Sequence, residues 1–162
     1  KFKFYHETIV LVIKMYSNLK ILRERKGLTQ TEVGNLLNID RSQYGKYETE
    51  YVIIPLKHLN TLCNYFNCSL DYLFGFTDEY NYQVSNKEID LKFAGQRLKE
   101  FRKENKLTQV KLATFLNTVH PVITNYEKGK HLISTPFLYQ ICQKYHISAD
   151  YLLGKTEEPK YL

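Results

Sequence analysis

The sequence predicts an all-α protein made of two tandem copies of one domain, each of about five short helices. Three observations carry that expectation. A shift of 79 positions aligns residues 18–79 with residues 97–158 without a gap: Leu28-Thr29-Gln30 recurs as Leu107-Thr108-Gln109, Tyr47-Glu48 as Tyr126-Glu127, and Ser69 to Gly75 as Ser148 to Gly154. Self-similarity at a fixed period is the mark of a repeat architecture. Within each copy the apolar residues fall three and four apart, as in Val33, Leu36, Leu37 and again in Leu112, Phe115, Leu116, which is the spacing of one helix face. Only 7 glycines and 4 prolines punctuate 162 residues, too few for a turn-rich β-fold.

The repeat divides the chain into an N-terminal extension over 1–17, a first domain over 18–79, a linker over 80–90, a second domain over 91–158 and a tail over 159–162. In the first domain a helix is expected from about Asn18 to Lys26, with Gly27 at its stop, where the second copy has Lys106. Thr29 should cap the next helix and Glu32 complete a capping box, the threonine hydroxyl taking one orphan backbone N–H and the glutamate returning the favour. Thr108 repeats the cap, but Lys111 replaces the glutamate. Asn38 and Asn117 follow, a residue type that tolerates the left-handed turn a tight connection needs. A third helix should run from near Asp40 to Glu48, and Ser69 and Ser148 should cap a last short helix ended by Gly75 and Gly154. Tyr80 to Asp90 is polar and without helical period. Residues 1–14, ahead of the chain's one methionine, Met15, lie outside the repeat.

Composition narrows the function. A hydrophobic fraction of 43% with 25% charge is that of a globular protein, not a disordered one. The net charge of +6 suits a nucleic acid or an anionic surface. Its distribution is uneven: residues 18–79 hold seven basic against eight acidic side chains, residues 97–158 ten against six. Three cysteines without CxxC spacing suggest reduced thiols in a cytoplasm, and no apolar run reaches the ~20 residues of a membrane span. The five histidines form no ligand pair and no nucleophile stands beside a base, so no metal, no cofactor and no catalysis is expected.

The ordered set Arg23, Leu28-Thr29-Gln30, Gly34 and Tyr47-Glu48, present again as Arg102, Leu107-Thr108-Gln109, Ala113 and Tyr126-Glu127, resembles the helix-turn-helix domain of the phage repressor and Cro family. The resemblance implies two repressor-like helix-turn-helix domains, covering roughly three quarters of the chain, whose third helices enter the DNA major groove. It implies base reading by Arg41, Ser42, Gln43 and Lys46 in the first copy and by His120, Thr124 and Asn125 in the second. Phosphate contacts fall to Thr29, Gln30, Thr108 and Gln109 at the starts of the second helices, joined by Lys128 and Lys130. Arg or Lys donates to guanine and Gln pairs with adenine, whereas Pro121 and Val122 can form no side-chain hydrogen bond. Two different half-sites are therefore expected, the second copy giving more charge than sequence information. Glu50, standing where the second copy has Gly129, would be repelled if it faced DNA.

Plainer readings stand beside these. Arg23 and Arg102 are expected to pair with Glu48 and Glu127, as the resemblance implies, and not to read bases. Cys63 and Cys142 read as core thiols, Tyr72 and Tyr151 as core aromatics. The expected partner is a double-stranded DNA operator, bound by the two fused domains as a pseudo-dimer or by a homodimer offering four helices; the inducer is not legible. The alternative is a protein-interaction module that kept the fold and lost operator reading in one or both copies.

Overall fold

The computed structural model describes residues 14–80 and 88–160. The extension up to residue 13, most of the expected linker and the last two residues fall outside them. Ten helices and no strand are found among the described residues: α1 Leu19–Arg25, α2 Gln30–Leu36, α3 Arg41–Glu48, α4 Leu56–Phe66, α5 Leu70–Phe74, then α6 Leu91–Glu104, α7 Gln109–Phe115, α8 His120–Glu127, α9 Thr135–Tyr145 and α10 Ala149–Leu152.

The local signals in the sequence account for most boundaries. Thr29 caps α2 in a full capping box with Glu32, and Thr108 caps α7 through the Lys111 amide alone. Asp40 caps α3 and the serines cap α5 and α10. Asn38 and Asn117 both take positive φ at the turn between the second and third helices. Tyr44 and Tyr47 are buried, so α3 presents its polar side outward.

The first helices differ. α6 is 14 residues long against 7 for α1, and its added turns lie across the end of α8. There is no room there for a side chain: a Cβ on Gly95 would strike the Tyr126 carbonyl oxygen, and Gly129 closes the opposite side against Leu91 and Lys92. Gly95→Ala is therefore expected to lower stability by about 1–3 kcal/mol, the range of overpacking in a filled core. Chemical denaturation measures it, and a loss within ±0.5 kcal/mol would mean that α6 does not dock as described.

The two halves meet at their last helices, and the contact obeys the 79-residue repeat. Asp71 of α5 accepts from the Ala149 amide at 2.7 Å and from the Ser148 hydroxyl, while Asp150 of α10 accepts from the Asp71 amide at 3.0 Å. Each aspartate thus serves the opposite helix's N-terminus. Beyond each helix the chain crosses over. Phe76 packs on Tyr139, with ring centroids 4.9 Å apart, and at the equivalent place Lys155 Nζ donates to Asn60 at 2.6 Å and Asn64 at 3.1 Å. Thr135 donates to the Ile54 carbonyl at 2.6 Å. The core is continuous across this pseudo-two-fold contact.

Candidate nucleic-acid interface

In each half the start of the second helix lies beside the outer side of the third, and one ionic cluster fixes the pair. Arg23 Nε donates to Glu48 Oε1 at 2.5 Å and Nη1 to the Leu28 carbonyl at 2.8 Å, while Gln30 Nε2 donates to Glu48 Oε2 at 2.9 Å. Arg102, Glu127, Leu107 and Gln109 repeat the arrangement, again with 2.9 Å for the glutamine bond. The glutamate side chains are each 4% exposed and the arginines 12% and 11%. Burial alone would raise the Glu48 carboxyl, but the hydrogen bonds from Arg23 and Gln30 outweigh it and hold the group below the usual carboxylate range. The expected pairing of both arginines is thus found. The cluster sets the angle at which α3 and α8 are presented, since it ties the first, second and third helices at one point.

Arg41, Ser42 and Lys46 are exposed on α3 and Gln43 is half-buried beside them. On α8 His120 is exposed, while Thr124 and Asn125 are half-buried. Thr124 has a use inside the protein: its hydroxyl donates to Gln109 Oε1 at 3.0 Å, leaving it only as an acceptor outward. Gly45 occupies the equivalent place and has only its backbone near Gln30. Gln30 and Gln109 are partly buried and already give one amide bond to glutamate.

The helix starts also differ. Thr29's amide and hydroxyl both donate to the Glu32 carboxylate, at 2.7 and 2.8 Å, so the first copy holds an anion of its own at the positive end of α2. Lys111 brings a cation to that place in the second copy. There, Lys99, Thr108, Gln109, His120, Thr124 and Lys128 line one open groove between α6, α7 and α8. Lys99 was not among the residues expected from sequence, although its identity with Lys20 across the repeat was the available signal. Lys20 lies 3.7 Å from Glu24, whereas Lys103 stands at the position equivalent to Glu24. Lys130 and His131 are exposed just past α8.

One condition is not met and one expectation needs correction. Glu50 is not aimed outward: it takes the same left-handed turn as Gly129, φ 57° against 64°, and its carboxylate accepts the Met15 and Tyr16 amides at 2.9 and 3.0 Å. Tyr151 is not a core aromatic but only partly buried; Arg97 covers its ring at 4.0 Å while bonding Glu157 at 2.5 Å. Among the described residues no group of three or more His, Cys, Asp or Glu could hold a metal, and no helix is long and apolar enough to cross a membrane.

Comparison with known proteins places both halves. Residues 19–73 match a family described as "Helix-turn-helix" and residues 95–158 one described as "Helix-turn-helix domain". Among curated proteins, the uncharacterized HTH-type transcriptional regulator YobD of Bacillus subtilis (strain 168) is 34% identical over 71 residues, 44% of this chain and 63% of that protein. The HTH-type transcriptional regulator ImmR of the same organism is 39% identical over 66 residues, 41% of this chain and 52% of that protein. The chain thus spans between half and two thirds of the length of these relatives. No solved structure matches.

Proposed function

Since the chain belongs to the Cro/C1-type helix-turn-helix family through both of its halves, we propose that it is a sequence-specific double-stranded DNA-binding regulator, acting as a repressor. The observation that carries this reading is the duplicated surface: in each half an exposed polar side of the third helix stands beside the start of the second, clamped by a buried Arg–Glu–Gln cluster. A rigid helix so presented fits the ~12 Å major groove. In this reading Arg41, Ser42, Gln43 and Lys46 read one half-site and His120, Thr124 and Asn125 another. Thr29, Gln30, Thr108, Gln109, Lys128 and Lys130 contact phosphate, and Lys99 joins them. The two domains, 18–79 and 91–158, act as a pseudo-dimer within one chain.

The division of labour follows from charge. Glu24 and Glu32 temper the first copy's phosphate side, whereas the second copy has Lys103 and Lys111 at those positions. The second domain therefore anchors and the first discriminates. Lys130→Ala and Lys99→Ala should each weaken cognate and random duplex alike and reduce the salt slope by about 1. Titrations at several salt concentrations measure this, and an unchanged slope for both would remove these lysines from the phosphate surface.

Selection from a randomised duplex library tests the whole reading. Two dissimilar half-sites about ten base pairs apart are expected. No enrichment would leave the other reading, a protein-interaction module, which one feature favours. Ile53, Pro55, Leu132, Pro136 and Phe137 line an apolar groove between the halves, and Tyr51, two residues before Ile53, is 79% exposed.

A further inference from the structure

The contact between the halves contains a feature that DNA binding does not use. The N-termini of α5 and α10 meet head to head, and two positive helix ends in proximity repel. Asp71 and Asp150, equivalent residues of the repeat, fill the space between them at 1% and 0% exposure. Each carboxyl accepts from the N-terminal turn of the other's helix, so the two face each other across a dry contact. An ionised carboxylate only accepts, so two ionised ones can give each other no hydrogen bond, whereas one that carries a proton can donate. Asp71 already accepts from Ala149 and Ser148, and Asp150 Oδ2 accepts from the Asp71 amide. Asp150 Oδ1 is left buried with no donor among the protein groups. A proton shared between the carboxyls would supply the missing bond.

We propose that this pair is a one-proton latch: with a single proton shared between Asp71 and Asp150 the two domains are held in fixed register, and loss of that proton releases them from each other. The step is an acid dissociation. The O–H bond of the shared carboxyl breaks, hydroxide takes the proton as water, and two carboxylates face each other across a dry contact. Like charges so placed cannot both ionise without cost.

Burial, and then the opposing Asp150 carboxylate, push the Asp71 carboxyl up to about 8. Burial also raises Asp150. The bonds from Ser148 and Ala149 lower Asp71 and the charge of Lys155 lowers Asp150, but burial outweighs them. Cys63 of α4 and Cys142 of α9 are buried thiols raised well above their ordinary range, so both stay neutral. Ser69 and Ser148 are neutral, and among the described residues the cation acting on the pair is Lys155, which lowers Asp150 and is tied to Asn60 and Asn64. The sign follows from the raised value. The folded protein holds a proton that the unfolded chain gives up near the ordinary carboxylate range, so the latch is strongest in acid and its contribution is lost as pH rises through about 8.

The test uses the free full-length chain without DNA, so its outcome is independent of the regulatory reading. Small-angle scattering between pH 6 and 9.5 should show a compact particle that expands with a midpoint near 8. In Asp150→Asn the amide nitrogen can take the place of the orphaned Oδ1 and donate permanently to Asp71, so the particle should stay compact throughout. Infrared difference spectra of the wild type give a second readout that needs no variant: a protonated-carboxyl band present at pH 7 and lost by pH 9.5. A wild type compact at pH 9.5, an Asp150→Asn chain that expands with the same midpoint, or no protonated carboxyl at pH 7 would each overturn the latch.

Discussion

Glu48→Ala is expected to destabilise the chain by about 3 kcal/mol, the lower part of the range for removing one member of a buried ion pair. The loss would exceed the worth of the pair itself, because Arg23 would stay in place with its guanidinium 12% exposed, left with the Leu28 carbonyl and the half-exposed Glu24 carboxylate 3.5 Å away. Gln30 would also lose the acceptor that holds it at the start of α2. Chemical denaturation monitored by tyrosine fluorescence measures the effect. The double substitution Arg23→Met, Glu48→Leu should recover much of the stability, since replacing both partners leaves no unpaired buried charge. A Glu48→Ala loss below about 1 kcal/mol would show that solvent already screens the cluster. The pH dependence runs opposite to that of the aspartate pair. Glu48 is held below the ordinary carboxylate range, so its contribution is present at neutral pH and is lost as pH falls through its depressed value.

Arg41→Ala is expected to cost about 1–3 kcal/mol of affinity for the selected site and to relax base preference at the position that Arg41 reads. Binding to random duplex should change little, because Arg41, exposed in the first turn of α3, is assigned a base and not a phosphate. Comparing cognate and scrambled duplexes by fluorescence anisotropy separates the two effects. Equal losses on both would make Arg41 a phosphate contact and move the reading role to Gln43 and Lys46. The equivalent His120→Ala should cost less, since the neighbouring Pro121 and Val122 offer no side-chain donor.

Much of this was legible in the sequence because the repeat repeats its signals. The caps at Thr29, Thr108, Ser69 and Ser148 depend on side-chain-to-backbone bonds that span three residues, and the left-handed turns at Asn38 and Asn117 on the residue type at one position. Such bonds are written in local order. The ionic clusters were reached through family resemblance, as the partners lie 25 residues apart. What could not be read was set by distant packing. The added turns of α6 rest on Gly95 meeting Tyr126, and no local pattern announces that approach. The partners of Glu50 could not be read either, because they are backbone amides of residues 15 and 16, which leave no trace in side-chain composition. The aspartate pair was hidden for the same reason: Asp71 and Asp150 look like ordinary first-turn acids until the halves meet.

The crossing of the chain beyond the last helices has a consequence for gene dosage. A symmetric dimer presents each patch to its own copy, so every mutation is felt twice and the assembly falls apart on dilution. Here Phe76 faces Tyr139 while Lys155 faces Asn60, two unlike contacts at places the repeat makes equivalent. Because both halves travel on one chain, their encounter is intramolecular and does not depend on concentration. For the proposed pseudo-dimer, occupancy of a target far from saturation would then rise in direct proportion to the number of chains in the cell and not to its square, so halving expression would halve binding, where a dissociating dimer would lose three quarters.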